Sequence, residues 1–367
     1  MGVKSQMGQV LSFAAARRQE PTSRFRGLIE SFGSCRKDRL DVLWMKENAE
    51  LLNVFETSGC KISESELDPL VPFYEGSLRH LNFFRQYYRF ILSISLDLED
   101  LGLPGDRGEV MAQWVAQQDV IGSELSDLQR AEGRRLLARR GVSIPAGARH
   151  RGADAGLDDR LRAFLRRSAT FAVPNRKAAY ELTHVIFYLT EYGRRPLCLE
   201  AEERQSLMFA GLVAYLDQDL DLLAEICISL RFCDAPVPAS WQAWLSRGAG
   251  AFRIIPTQGR VGADDYHPYF MSNWFQLLVG REAFSGADLR GSVVIEGPRG
   301  PGALRGVSMA LYTLLDQMPG HWSRLRDPLY LALSEEDGAL LHEVETSTPV
   351  FEAFFENFAR FGQVGVA

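Results

Sequence analysis

The sequence predicts an all-α protein, and three observations carry that expectation. Apolar residues recur at three- and four-residue spacing through most of the 367-residue chain. Glycine and proline interrupt that pattern roughly every 40–50 residues, a length that suits one helical hairpin per unit. Runs with strand character are confined to short stretches after residue 250.

The elements follow in order. Asp38–Thr57 places Leu40, Leu43, Trp44, Leu51, Leu52 and Phe55 on one broad apolar face, so it reads as a helix. The same period predicts helices over Glu64–His80, Asn82–Leu101, Asp119–Arg140 and Leu157–Ala169. It continues through Arg176–Tyr192, Glu200–Leu216, Leu220–Phe232 and the shorter Ser240–Arg247. Gly59, Gly102, Gly141 and Gly193 stand where helices should stop, and Pro104, Pro145 and Pro196 follow within a few residues. Asp219 is placed to cap the helix that starts at Leu220. Phe252–Ile255 and Ser292–Ile295 are β-prone runs that can pair as a small ribbon, and Gly297–Gly302 is a rigid turn. Helices resume at Tyr266–Val279, Gly302–Gln317, Ser334–Val344 and Pro349–Phe361.

These elements divide the chain into a loose stretch over 1–23, an array of α-hairpins over 24–250 and a C-terminal helical subdomain or cap over 251–367. The array can close into an α/α toroid or stay an open solenoid. Arg149–Gly156 reads as a polar, Gly/Ala-rich loop inside the array.

Composition excludes several classes. The hydrophobic fraction is 46% and the charged fraction 24%, enough apolar material for a sizeable core. A net charge of −6 argues against general nucleic-acid affinity. No apolar run approaches the ~20 residues of a membrane span. Met1–Arg18 has the wrong order of charge for a secretory signal. The cytoplasm is the expected location. The five cysteines show no metal-site or disulfide spacing and fit reduced thiols. No P-loop, dinucleotide fingerprint, nucleophile elbow or zincin motif occurs.

The most informative stretch is Tyr180–Arg195. Tyr180, His184, Tyr188 and Glu191 fall at i, i+4, i+8 and i+11 and form one stripe, with Tyr192 beside it and Arg194 and Arg195 just past the Gly193 stop. Catalysis, if any, is expected from His184 as a base, with Glu181 or Glu191 tuning it and Tyr188 alongside. Tyr180, Glu191, Tyr192, Arg194 and Arg195 are the expected ligand-binding residues of the same wall. Glu181 and His184 also make an E-x-x-H pair of the di-iron type, but the second such pair is missing, so no metal is assigned.

Two other clusters join that list. Asp97 and Asp100 lie at a helix C-terminus, where the dipole disfavours them, and are expected to face a ligand or an arginine. His267 and Trp274 belong to Asp264–Trp274, a helix start whose aspartates can cap it and whose aromatic groups can line a cleft. Between Arg130 and Arg167 the arginines crowd at like-charge i, i+4 spacings, which need compensation from an anionic partner or from carboxylates such as Glu132 and Asp158.

The strings WMKENAELLNVFE, YYRFILSISLDLEDLGLPG and AAYELTHVIFYLTEYGRR resemble an uncharacterised bacterial family, a domain of unknown function, over most of residues 38–250. That resemblance implies no activity. The E-L-T-H-x-x-F-Y-x-T-x-x-G-R pattern at Glu181–Arg194 is also similar to helical proteins of terpene-cyclase-like toroid shape, which implies an α/α toroid. The strings DLED and DQDLD match neither aspartate motif of those cyclases.

The expected function is therefore binding of a small molecule or peptide in a cavity lined by the Tyr180–Arg195 helix. One alternative is a scaffold that binds a protein partner, with the Phe-rich C-terminal helix docking in trans. Another is an enzyme acting on an isoprenoid or a peptide. The cofactor is left open.

Overall fold

A computed structural model describes residues 22–144, 151–285, 289, 291–314 and 321–359. Its elements are α1 (Thr22–Glu30), α2 (Val42–Thr57), α3 (Val71–Phe83), α4 (Tyr88–Asp100), α5 (Arg107–Gln117) and α6 (Asp127–Ala138). They continue with α7 (Leu157–Leu165), α8 (Ser168–Phe171), α9 (Arg176–Leu189), α10 (Ala201–Leu216), α11 (Leu220–Phe232) and α12 (Ala239–Ala249). Strand β1 (Arg253–Pro256) precedes α13 (Tyr266–Leu278), and β2 (Val293–Glu296) follows it. The chain then forms α14 (Leu304–Leu314), α15 (Trp322–Ala332), α16 (Glu335–Ser347) and α17 (Phe351–Phe358). The fold is all-α. The two strands pair antiparallel with Arg253 opposite Glu296, as the two β-prone runs predict.

Local chemistry sets these boundaries. Asp41, Asn175, Asp219 and Ser334 cap α2, α9, α11 and α16, each accepting a backbone N–H two or three residues on. Gly59, Gly102, Gly141 and Gly193 all have positive φ just past a helix, the conformation that glycine adopts without strain. At Gly193 there is a second reason, because a Cβ there would meet the Phe232 ring at 2.6 Å.

The predicted helices needed several corrections. Asn82–Leu101 is not one helix: α3 runs to Phe83, a short 3₁₀ turn spans Arg85–Tyr87, and α4 begins at Tyr88. Asp119–Arg140 likewise opens with a 3₁₀ turn at Ile121–Ser123 before α6. Helices α1, α5 and α15 lie outside the runs read as helical from the sequence; α15 carries Pro328 inside it. Asp264 and Asp265 do not cap α13. Asp264 accepts from the Ile295 N–H at 2.9 Å and Asp265 from the Gly297 N–H at 2.8 Å, so they tie the ribbon to the helix start.

Six helices organise the centre. α2 packs on α4, α4 on α6, α6 on α9, α9 on α11, α11 on α13, and α13 returns to α2. Helices α3, α5, α7, α10 and α12, which alternate with these in the chain, pack against them. The ribbon and α13 lie in the expected 251–367 subdomain, yet α13 makes its helix contacts with α11, α12 and α2.

The C-terminal helices α16 and α17 pack on α10. Phe351, Phe354, Phe355 and Phe358 are buried there, with Phe355 and Phe351 at 4.5 and 4.9 Å from the Trp322 ring and Phe354 at 5.8 Å from Phe209. The expected docking of this helix in trans is thus corrected: its phenylalanines are core of their own chain. Phe361, residues 1–21, and Arg149 and His150 of the Arg149–Gly156 loop lie outside the described residues; Arg151–Asp154 of that loop form a 3₁₀ turn. No helix among the described residues is long and apolar enough to cross a membrane.

Candidate functional site

The six central helices line one cavity of about 120 Å³, five of them with residues at i, i+3 or i+4 and α11 with Glu225 alone. α2 supplies Glu50 and Asn53, α4 Phe90 and Ser93, and α6 Glu132 and Arg135. α9 supplies His184, Phe187 and Tyr188, α11 supplies Glu225, and α13 supplies His267, Met271 and Trp274. Tyr192, two residues past the α9 C-cap and at φ 56°, completes the wall.

One side of the cavity is a carboxylate–histidine cluster. His267 Nδ1 lies 2.8 Å from Asp221 Oδ1, while its Nε2 faces Glu50 Oε1 at 3.7 Å and Glu225 Oε1 at 3.8 Å. The Tyr180 hydroxyl donates to Asp221 Oδ2 at 2.6 Å, and the Thr183 hydroxyl donates to Glu225 Oε2 at 2.5 Å. Asp221, Glu225 and His267 each offer one ligand atom within 4.8 Å of the others, so they are a set that can hold a metal ion. Burial, helped by the Asp221 charge, pushes the Glu225 carboxyl up to about 8. Burial alone would lower His267, but Glu50, Asp221 and Glu225 outweigh it and raise the imidazole to about 10. Burial holds His184 below the usual histidine range. The His184 Nδ1 sits 2.8 Å from the Tyr180 carbonyl, so the neutral ring donates there and Nε2 carries the lone pair.

The other side is defined by donors without acceptors. Arg135 is only 6% exposed. Its guanidinium lies 4.3 Å from the Tyr192 ring centre and 5.4 Å from that of Tyr188. Its Nε has no hydrogen-bond partner, and it forms no ion pair among the described residues. Glu132, one turn away, is engaged by Arg89 at 2.9 Å instead. Asn53 Nδ2 and Trp274 Nε1, in side chains 8% and 2% exposed, also lack acceptors. Unpaired buried donors also occur elsewhere, at Trp241 Nε1 and Gln276 Nε2 for example, but these three line the same cavity, where one ligand can meet them together.

A wider groove of about 670 Å³ shares Arg135 and Tyr188 with the cavity and continues along Glu191, Arg195, Asp154 and Asp158. It gives Arg135 a second, solvent-facing side.

The sequence-predicted residues distribute unevenly. His184, Tyr188, Tyr192, His267 and Trp274 meet in the cavity. Tyr180 reaches it through Asp221, and Glu191 and Arg195 line the outer groove. Glu181 does not tune His184: it is 42% exposed in its side chain and lies 3.9 Å from Lys177, because position 181 falls on the outer face of α9. Arg194 bonds Glu56 and the Glu191 carbonyl and is committed to the helix end. Asp97 and Asp100 face arginines: Arg139 binds Asp97 at 2.6 Å, and Arg140 binds Asp100 at 2.9 Å. Among the described residues the arginine-rich stretch pairs with Asp127, Asp154, Glu200, Glu203 and Asp97–Asp100, and no ion pair joins it to Glu132 or Asp158.

Sequence reasoning missed Glu50, Asn53, Arg135, Asp221 and Glu225. Glu225 had a readable signal, as one carboxylate amid LDLLAEICISL with Asp221 one turn before it. Arg135 had none, being one arginine among many.

No curated protein and no solved structure matches the chain, whereas a family model described as a domain of unknown function (DUF6902) matches residues 7–361.

Proposed function

We propose that this chain, which belongs to the DUF6902 family, binds a small oxyanion-bearing molecule in the cavity between its six central helices. The observation that carries this reading is Arg135, a buried side chain on the cavity wall whose Nε has no hydrogen-bond partner and which forms no ion pair among the described residues. Leaving a charge buried and unpaired costs several kcal/mol (~3–5 when a partner is removed), so a bound anion explains why the residue is tolerated. The guanidinium fork matches a carboxylate or phosphate edge. Asn53 Nδ2 and Trp274 Nε1 add two neutral donors for further oxygens. The cavity volume sets the size. About 120 Å³ is well under the ~300–1,000 Å³ of pockets for drug-sized ligands, so the ligand has only a few heavy atoms. The groove beyond Arg135 and Tyr188 is its route from solvent.

The ring of helix contacts supports a further part of the reading: α2, α4, α6, α9, α11 and α13 are the inner layer of an α/α toroid, with the site at its centre.

Calorimetry and thermal shift with inorganic phosphate, formate, acetate and oxalate test the proposal. At least one raises the melting temperature of the wild type, and Arg135→Gln removes that rise. Absence of any shift with all four, or an equal shift in Arg135→Gln, contradicts it.

A further inference from the structure

We infer that Glu225 and His267, which with Asp221 bring one ligand atom each within 4.8 Å of one another, form the core of a binding site for a divalent first-row transition-metal ion, with Glu50 beside them and Tyr180 and Thr183 holding the carboxylates in position. This inference stands on geometry separate from Arg135 and does not need the oxyanion.

The distances are the first argument. His267 Nε2 stands 3.7 and 3.8 Å from one oxygen each of Glu50 and Glu225. Both separations are too long for hydrogen bonds. They suit atoms that share an ion, since two ligands each about 2.1 Å from a metal lie roughly 3–4 Å apart.

The outer contacts are the second. Metal-bound histidines characteristically give their other ring N–H to a carboxylate, which fixes tautomer and direction. His267 does this with Asp221 at 2.8 Å, and Asp221 is itself held by the Tyr180 hydroxyl at 2.6 Å. Thr183 occupies Glu225 Oε2 and so leaves Oε1 for the His267 side. By contrast His342 on α16 is exposed, and the Glu345 beside it is committed to Trp322, Arg326 and Tyr330.

The unpaired atoms are the third. Glu50 Oε2 is buried without a hydrogen-bond partner. Asn53, one turn along α2 and 8% exposed, presents an amide donor without acceptor to the same cavity. An ion satisfies the first directly, and an oxygen bound to that ion satisfies the second. A mixed imidazole and carboxylate set selects Mn²⁺, Fe²⁺ or Zn²⁺ over Mg²⁺ or Ca²⁺.

The test uses full-length protein treated with a chelator, then titrated with Co²⁺ alone, without added anion. One equivalent binds and develops ligand-field absorption. His267→Gln and Glu225→Gln each weaken binding by about 100-fold or more, and Asp221→Asn weakens it by about 10–100-fold while shifting the absorption bands. His342→Ala leaves binding unchanged. Wild-type histidine NMR gives a readout that needs no variant to fold: Co²⁺ broadens the His267 ring signals before those of His321 and His342. Lack of stoichiometric uptake, broadening confined to His321 and His342, or unchanged binding in both His267→Gln and Glu225→Gln overturns the inference.

Discussion

Arg36 and Arg135 are both buried arginines, and their surroundings differ in kind. Arg36 is fully enclosed and saturated: it binds Glu47 at 3.2 Å and Asp264 at 2.9 Å, donates to the Val293 carbonyl, and stacks 4.4 Å from the Phe32 ring. It ties the segment before α2 to β2 and the start of α13. Arg135 has aromatic faces and no counter-ion among the described residues. A buried cation with all its partners inside the chain is architecture. One whose partners are missing marks where a partner from outside belongs. Arg139 belongs with Arg36 in being ion-paired, to Asp97 and Asp100, although its Nε, like that of Arg135, has no hydrogen-bond partner.

The strongest way to break this contrast is at Arg36. Arg36→Met takes the guanidinium from two buried carboxylates and leaves Glu47 with Lys37 and Asp264 with the Ile295 N–H, so the expected loss is ~3–5 kcal/mol by chemical denaturation, with no recovery from added oxyanion. A loss under 1 kcal/mol would show that the saturated arginine is dispensable. Next is Asp97→Asn, which leaves Arg139 with Asp100 alone. The expected cost is about 2–3 kcal/mol, and oxyanion binding persists. Arg135→Met should behave in the opposite sense. The unliganded protein is unchanged or stabilised by up to ~1–2 kcal/mol, because an unpaired charge is exchanged for an apolar side chain, while binding is lost. Thermal denaturation with and without phosphate reads both effects.

The smallest expected effect is the acid dependence of the saturated class. Burial works to raise Asp100, but the Arg139 and Arg140 guanidiniums outweigh it and hold its carboxyl below the usual range. A folded-state value below the unfolded one means that the stabilisation is present above about 3.9 and is lost as pH falls through the folded value. Asp100→Asn therefore flattens the stability profile below about pH 4 by under ~1 kcal/mol. A steeper profile in the variant would contradict the pairing.

Much of the scaffold was legible because periodicity and stop chemistry are local. Gly59, Gly102, Gly141 and Gly193 ended helices where expected, and Asp219 capped α11. The interruptions at Arg85–Tyr87 and Ile121–Ser123 were not, since tertiary packing decides there what propensity leaves undecided. The site was half legible. His184, Tyr188, Tyr192, His267 and Trp274 stood out as polar or aromatic groups in helical register. Glu50, Glu225, Asn53 and Arg135 did not, because each needs neighbours from helices far away in the chain. Glu181 misled for the same reason: three residues from His184 in sequence, it lies on the other face of α9.

If Arg135 waits for an anion, a crystal structure grown with the most stabilising of the four oxyanions will hold that anion in the cavity. The account predicts planar or tetrahedral density in the cavity, within hydrogen-bonding distance of the Arg135 guanidinium and Asn53 Nδ2. An Arg135 side chain turned into an ion pair with Glu132 or Asp97, with the cavity collapsed beside it, would contradict the account.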